Sequence, residues 1–145
     1  MADYSLRVYE NVLEMLSSAE NPTPIVRLSR VVPFQHTRVY AKLEWYNPFG
    51  AVKDRVAANL IADAERRGEK LENLVEPTSG NTGMGLAMMS NARGYHFTAT
   101  LSNQIPLEKR SALRLFGTNL VELNDDLCQM PGQTEGAMVR AATMG

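Results

Sequence analysis

Apolar residues recur along the chain with two different periods. Leu6, Tyr9, Val12, Leu13 and Leu16 stand three and four apart, which predicts an amphipathic helix near the amino terminus. Asn21-Pro22-Thr23-Pro24 breaks it, and Ile25, Val26 and Leu28 predict a short extended piece before Pro33. Val39, Ala41, Leu43 and Trp45 alternate with Tyr40, Lys42, Glu44 and Tyr46, the period of a strand. Asn47-Pro48-Phe49-Gly50 then turns the chain. Val52, Val56, Ala57, Leu60, Ile61 and Ala64 predict a helix that stops at Gly68.

The same alternation continues to the end. Leu74 and Val75 predict a short buried strand, Thr78 to Gly83 a loop, and residues 84–93 a helix stopped by Gly94. Residues 97–101 predict a strand. Pro106 suits the first turn of a helix that reaches Phe116 and ends at Gly117. Residues 120–123 predict a strand, Pro131-Gly132 a turn, and residues 135–142 a helix. Strand and helix thus alternate from residue 39 onward. That order specifies an α/β fold with a three-layer, open, mostly parallel sheet flanked by helices. Ligands of such sheets gather beyond the carboxyl ends of the strands. The turns after Trp45, Glu76 and Leu101 are therefore expected to share one edge, with Lys53 close to Thr78–Gly83.

Composition narrows the class without naming a function. A chain of 145 residues suits one domain. Its net charge of -1 and its scattered basic residues, such as Arg66, Arg67, Lys70, Lys109 and Arg110, argue against nucleic acid or an anionic membrane as partner. Cys128 is the single cysteine, so no internal disulfide forms and a reducing, cytoplasmic setting is expected. Neither His36 nor His96 lies near it in sequence, so an inert packing role is preferred over a nucleophile. No apolar run is long enough for a membrane span, and residues 1–16 carry acidic groups unlike a signal peptide.

Two segments carry candidate chemistry. The first is Asn47-Pro48-Phe49-Gly50-Ala51-Val52-Lys53-Asp54-Arg55. A lysine at the start of a helix sits in an unfavourable field, and that field, with partial burial among Phe49, Val52 and Val56, is expected to lower its pKa. A neutral amine can form a Schiff base with an aldehyde. The alternative is a solvated lysine paired with Asp54 or Asp63. The second segment is Glu76-Pro77-Thr78-Ser79-Gly80-Asn81-Thr82-Gly83. Its glycines admit close backbone approach, its hydroxyl and amide groups are donors, and the next helix begins with free N–H groups that suit an anion. The alternative is a plain strand-to-helix turn capped by Asn81 or Thr82. Gly80, Gly83 and Gly85 do not have dinucleotide-loop spacing, and no nucleotide-loop lysine follows.

In this order, about one strand–helix unit apart, the two segments resemble those of the fold-type II pyridoxal-phosphate enzymes: cysteine synthases, O-phosphoserine sulfhydrylases and cystathionine β-synthases. The lysine segment is similar to the family's N-P-x-x-[ST]-x-K-D-R except at Ala51, where the hydroxyl residue is absent. The loop is similar to P-T-S-G-N-T-G throughout. Asn21 to Leu28 resembles the family's opening N-x-T-P-L-V-x-L, and Pro106, Glu108, Lys109, Arg110, Leu113 and Gly117 continue the likeness to about Glu122.

The resemblance implies that Lys53 holds pyridoxal 5'-phosphate and moves the substrate α-proton. It implies that Asn81 bonds the cofactor's 3-oxygen. Thr78, Ser79, Gly80 and Thr82 are implied to bind the α-carboxylate of an amino-acid substrate. The implied reaction is β-replacement: an activated L-serine loses its β-substituent and a sulfur donor adds, giving cysteine or cystathionine. O-Acetylserine, O-phosphoserine and serine all fit. Trp45, Tyr46 and Phe49 shape the pocket or pack at a strand end.

In that family a second domain supplies a glycine-rich phosphate loop and a serine near the pyridine nitrogen, and no glycine cluster follows Gly85 here. The resemblance therefore implies two parts. Residues 1–37 are an N-terminal helix and extended segment that would pack on a second domain. Residues 38–145 are the domain of the cofactor lysine and substrate loop. By itself the chain is expected to catalyse little β-replacement, to hold Asn21–Val32 loosely, and to form a homo-oligomer or pair with a C-terminal domain. A serine or threonine dehydratase and a non-catalytic binding module on the same fold are the alternatives. The wording of the loop speaks against the dehydratase, and intact Lys53 and Asn81 speak against the module.

Overall fold

Three strands lie side by side at the centre of the computed structural model, which describes residues 8–31, 33, 36–78, 80–124 and 135–145. They are β3 (Asn73–Pro77), β4 (His96–Ser102) and β5 (Asn119–Leu123), all parallel, in the order β3-β4-β5. The register aligns Pro77 with Thr100 and Thr100 with Val121. As the middle strand, β4 is covered on both faces, and Phe97, Ala99, Thr100 and Leu101 are all buried.

Helices α2 (Asn81–Arg93) and α3 (Leu107–Leu115) lie on one face of the sheet, and α1 (Lys53–Arg66) packs outside α2. Phe97, Ala99 and Leu101 share a core with Leu86, Ala87 and Met89 of α2, Leu113 of α3, and Ala57 and Ile61 of α1. Side chains alternate across a strand, so Thr100 belongs to the opposite face. There its hydroxyl donates to the Ala137 carbonyl at 2.6 Å, at the start of α4 (Ala137–Ala142). Helix, sheet and helix make the three layers expected from the sequence. Ile61, Met89, Leu101 and Leu113 are almost wholly removed from water, and each stabilises the fold by about 1.5–3 kcal/mol.

The helix stops follow from local chemistry. Gly68, Gly94 and Gly117 have φ of 72°, 76° and 78°, the left-handed conformation that ends a helix and favours glycine. In α1 the buried positions Asp54, Ala57, Ile61 and Ala64 form one stripe, and it packs on α2 rather than on the sheet. Because α2 is sandwiched between α1 and the sheet, it buries Gly83, Gly85, Leu86, Ala87, Met89 and Ser90 and lacks a polar face.

Two expectations are corrected. Of the alternating residues 39–46, only Tyr40–Lys42 is a strand (β2). It pairs antiparallel with β1 (Ile25–Arg27) in a separate two-stranded sheet and does not join the parallel one. Alternation reports an extended chain, not its partner. The chain then leaves β2 through a 3₁₀ turn, Glu44–Tyr46. Second, the described part of the amino-terminal segment holds one 3₁₀ turn, Val12–Met15, in place of a longer helix. The Asn11 side chain accepts from the Leu13 N–H at 2.9 Å and fixes the turn there, while Leu13 and Leu16 reach the core. Residues 1–7 lie outside the described residues. On either flank of the β1–β2 pair, Leu28 N–H donates to Val39 O and Leu43 N–H to Pro24 O, each at 2.9 Å.

Candidate functional site

Lys53 is the first residue of α1 and is exposed. Val52 and Val56 are 50% and 37% exposed, so the expected burial of the lysine among them is not found. They lie off the stripe of α1 that meets α2. Its suggested ion-pair partners are also engaged elsewhere. Asp63 pairs with Arg66 at 2.8 Å and Arg67 at 3.4 Å. Asp54 is fully buried, and its Oδ2 accepts from the Phe49 N–H at 2.8 Å.

Asp54 organises the turn that delivers the lysine. The Asp54 N–H donates to Ala51 O at 3.2 Å. Gly50, at φ 73°, donates its N–H to Asn47 O at 2.9 Å. Burial pushes the Asp54 carboxyl up, against the pull of the backbone N–H groups beside it. Its Oδ1 is buried with no hydrogen-bond partner among the described residues. Sequence reasoning treated Asp54 only as a possible mate for Lys53. The available signal was an acid one residue into a helix, where it can accept the N–H groups of the preceding turn.

The second segment is less of a loop than expected. Asn81, Thr82 and Gly83 form the first turn of α2, and the N-cap position falls on Gly80, which has no side chain to cap with. Neither Asn81 nor Thr82 serves as the cap, as the plain-turn alternative required. Among the described residues no side chain bonds to the first N–H groups of α2, and the helix presents them free. A Cβ at Gly80 would meet nothing within 4 Å. A Cβ at Gly83 would stand 2.6 Å from Thr78 Cγ2. Gly83 therefore lets the Thr78 side chain lie against the helix start. Thr78 is anchored by its own N–H, which donates to Thr100 O at 3.1 Å. Ser79 lies outside the described residues, as do Cys128 and the Pro131-Gly132 turn.

Gly85 brings the two segments together. A Cβ there would stand 2.9 Å from Ala57 Cβ, 3.3 Å from Lys53 O and 3.5 Å from Asp54 Cα. The backbones of α1 and α2 thus touch at the lysine itself, and sequence reading missed this role. One strand residue was also missed. Glu76 is half-buried on β3, immediately before the turn, without a partner among the described residues, and burial pushes its carboxyl up.

The residues present fit pyridoxal phosphate and its amino-acid adducts on two counts. The first is an amine at a helix start whose backbone approaches Gly85 in the second turn of α2. The second is a helix N-terminus with no side-chain cap and with open space at Gly80 for a carboxylate among the described residues. Among the described residues no cluster of histidine, cysteine and acidic groups suits a metal, and no helix is long and apolar enough to cross a membrane.

An open parallel sheet with a polar turn at its carboxyl edge, beside a helix that begins with a lysine, defines an α/β domain of the kind that binds ligands at that edge. More particularly, the chain belongs to the pyridoxal-phosphate dependent enzyme family, whose model matches residues 16–144. It is 48% identical over 101 residues to O-ureido-L-serine synthase of Streptomyces lavendulae, covering 68% of this chain and 31% of that protein. It is 38% identical over 134 residues to a probable cysteine synthase of Bacillus subtilis, covering 91% of this chain and 42% of that one. Among solved structures, O-acetyl serine sulfhydrylase isoform 3 of Entamoeba histolytica superposes with a TM-score of 0.78 at 33% identity, covering 95% of this chain and 40% of that one. The chain spans less than half the length of these relatives.

Proposed function

We propose that the chain is the lysine- and substrate-binding part of a pyridoxal-phosphate enzyme for β-replacement on an activated L-serine, with cysteine or a related β-substituted alanine as product. The observation that supports this reading is the backbone approach at Gly85, which brings the first residues of α1, Lys53 among them, close to the second turn of α2. Pyridoxal phosphate, when bound, supplies an electron sink that weakens the bonds at the substrate's Cα and Cβ. Lys53 would hold the cofactor through Nζ, and its amine would take the substrate's α-proton. Asn81, on the first turn of α2, would hold the cofactor's 3-oxygen through its side-chain amide. Thr78, Ser79, Gly80 and Thr82 bind the α-carboxylate with hydroxyl and backbone N–H donors, which fixes which bond at Cα faces the lysine. The relatives named above, a synthase of O-ureido-L-serine and a probable cysteine synthase, support a β-substituted serine as substrate class. A sulfur nucleophile and a second domain, as part of the same or another chain, complete the reading.

The test is an absorbance titration with pyridoxal phosphate, followed by borohydride reduction and peptide mass mapping. The expected result is a visible band and a pyridoxyl label concentrated on Lys53, both lost in Lys53→Ala. Label spread evenly over Lys70, Lys109 and the other surface lysines would sink the proposal.

A further inference from the structure

The lysine segment is held from outside by one side chain that nothing above has given a task. Glu44 lies in the 3₁₀ turn after β2. Its Oε2 accepts from Asn47 Nδ2 at 2.7 Å and from Arg55 Nε at 2.9 Å. Asn47 Nδ2 also donates to the Glu44 main-chain carbonyl at 2.7 Å. Asn47 opens the segment and Arg55 closes it, so a single carboxylate grips both ends of the stretch containing Lys53. Asn47 is 4% exposed, so its end is a buried anchor and not a surface contact. The other arm of Arg55 reaches the Thr23 hydroxyl and extends the grip to the segment just before β1. The remaining neighbour of Glu44, Lys42 at 3.6 Å, touches neither end of the segment.

We propose that Glu44 is a positioning residue for Lys53, closing residues 47–55 into a fixed ring that sets where the amine stands. Within that ring the bonds from Gly50 N–H to Asn47 O and from Asp54 N–H to Ala51 O depend on the ends staying together. An exposed ion pair alone contributes little. Here the same oxygen serves two charge-assisted or buried donors, and both bonds weaken if its charge is removed. The functional half of this assignment rests on Lys53 being the cofactor lysine.

The test compares the wild-type chain with Glu44→Gln, and with Lys42→Gln as the control that removes a neighbouring charge outside the ring. Two readouts are used: native-state hydrogen exchange, and the borohydride-fixed pyridoxyl label on Lys53 relative to Lys70 and Lys109. In Glu44→Gln, exchange at Gly50 and Asp54 is expected to quicken about tenfold while Leu101 is unchanged, and the relative label on Lys53 to fall about tenfold. Lys42→Gln is expected to change neither. If Glu44→Gln does not fold, Arg55→Lys takes its place, because a lysine cannot bridge two acceptors as the guanidinium does. Unchanged exchange at Gly50 and Asp54, or undiminished selective labelling of Lys53, overturns the assignment of Glu44 alone. A wild-type chain that shows no preference for Lys53 overturns the proposed function and this assignment with it.

Discussion

Ala51 and Asp54 make a pair with one half unused. The Asp54 carboxylate accepts the Phe49 N–H at Oδ2, but its Oδ1 is buried and unpartnered among the described residues. Residue 51 adjoins Asp54, whose N–H bonds its carbonyl. Ala51→Ser is therefore expected to stabilise the fold by about 1 kcal/mol, read as a higher urea midpoint at unchanged slope. Equal midpoints would show that the oxygen is served in another way. Glu76 tests burial with the opposite sign. Desolvation raises its folded carboxyl above the usual value, so the folded state binds the proton more tightly than the unfolded state. Its charge therefore costs stability once the pH exceeds the ordinary glutamate range, and that cost disappears in acid, where both states are protonated. Glu76→Gln is expected to be more stable than wild type at neutral pH and no different near pH 3, measured by thermal unfolding at both. A gain that persists in acid would mean that shape, not charge, was at fault.

Elements bring the residues together, and the α1–α2 crossing matters most. Helix propensity alone favours Gly85→Ala by about 1 kcal/mol. The added methyl would meet Ala57 Cβ at 2.9 Å and Lys53 O at 3.3 Å, one rigid atom and one backbone atom. Overpacking of this kind costs about 1–3 kcal/mol, so a net loss in denaturant unfolding is expected, together with weaker pyridoxyl labelling of Lys53. A variant as stable and as readily labelled as wild type would show that the helices part freely. This contact also marks a limit of sequence reading. Gly68, Gly94 and Gly117 could be read as helix stops because each follows an apolar periodic run. Gly85 sits inside such a run, and only the approach of a second helix gives it a reason. The polar turn was legible as a motif, but its division was not. With no side chain at Gly80 to mark a cap, the start of α2 was read three residues late.

At the scale of the whole molecule the three-layer fold was legible because β3, β4 and β5 alternate with helices and their short apolar runs admit little else. The small sheet was not. β1 and β2 have ordinary strand patterns, yet their residues are exposed or only half-buried, so burial does not fix their partner and backbone pairing does. The stability of the molecule should divide along the same line. Amides of the β1–β2 pair, such as Leu28 and Leu43, are expected to exchange at least about a hundredfold faster than Leu101 in the buried central strand. Equal protection would mean that the small sheet unfolds only with the core.

The touching backbones at Gly85 have a consequence for change over generations. A separation fixed by main chain on both sides cannot be tuned by trading one side chain for another, so the spacing between the first turns of α1 and α2 behaves as a constant of the scaffold. Adaptation to a larger or smaller substrate must then be written elsewhere. At Gly80 an added Cβ would meet nothing within 4 Å among the described residues, so that space is not set by the contact between the helices.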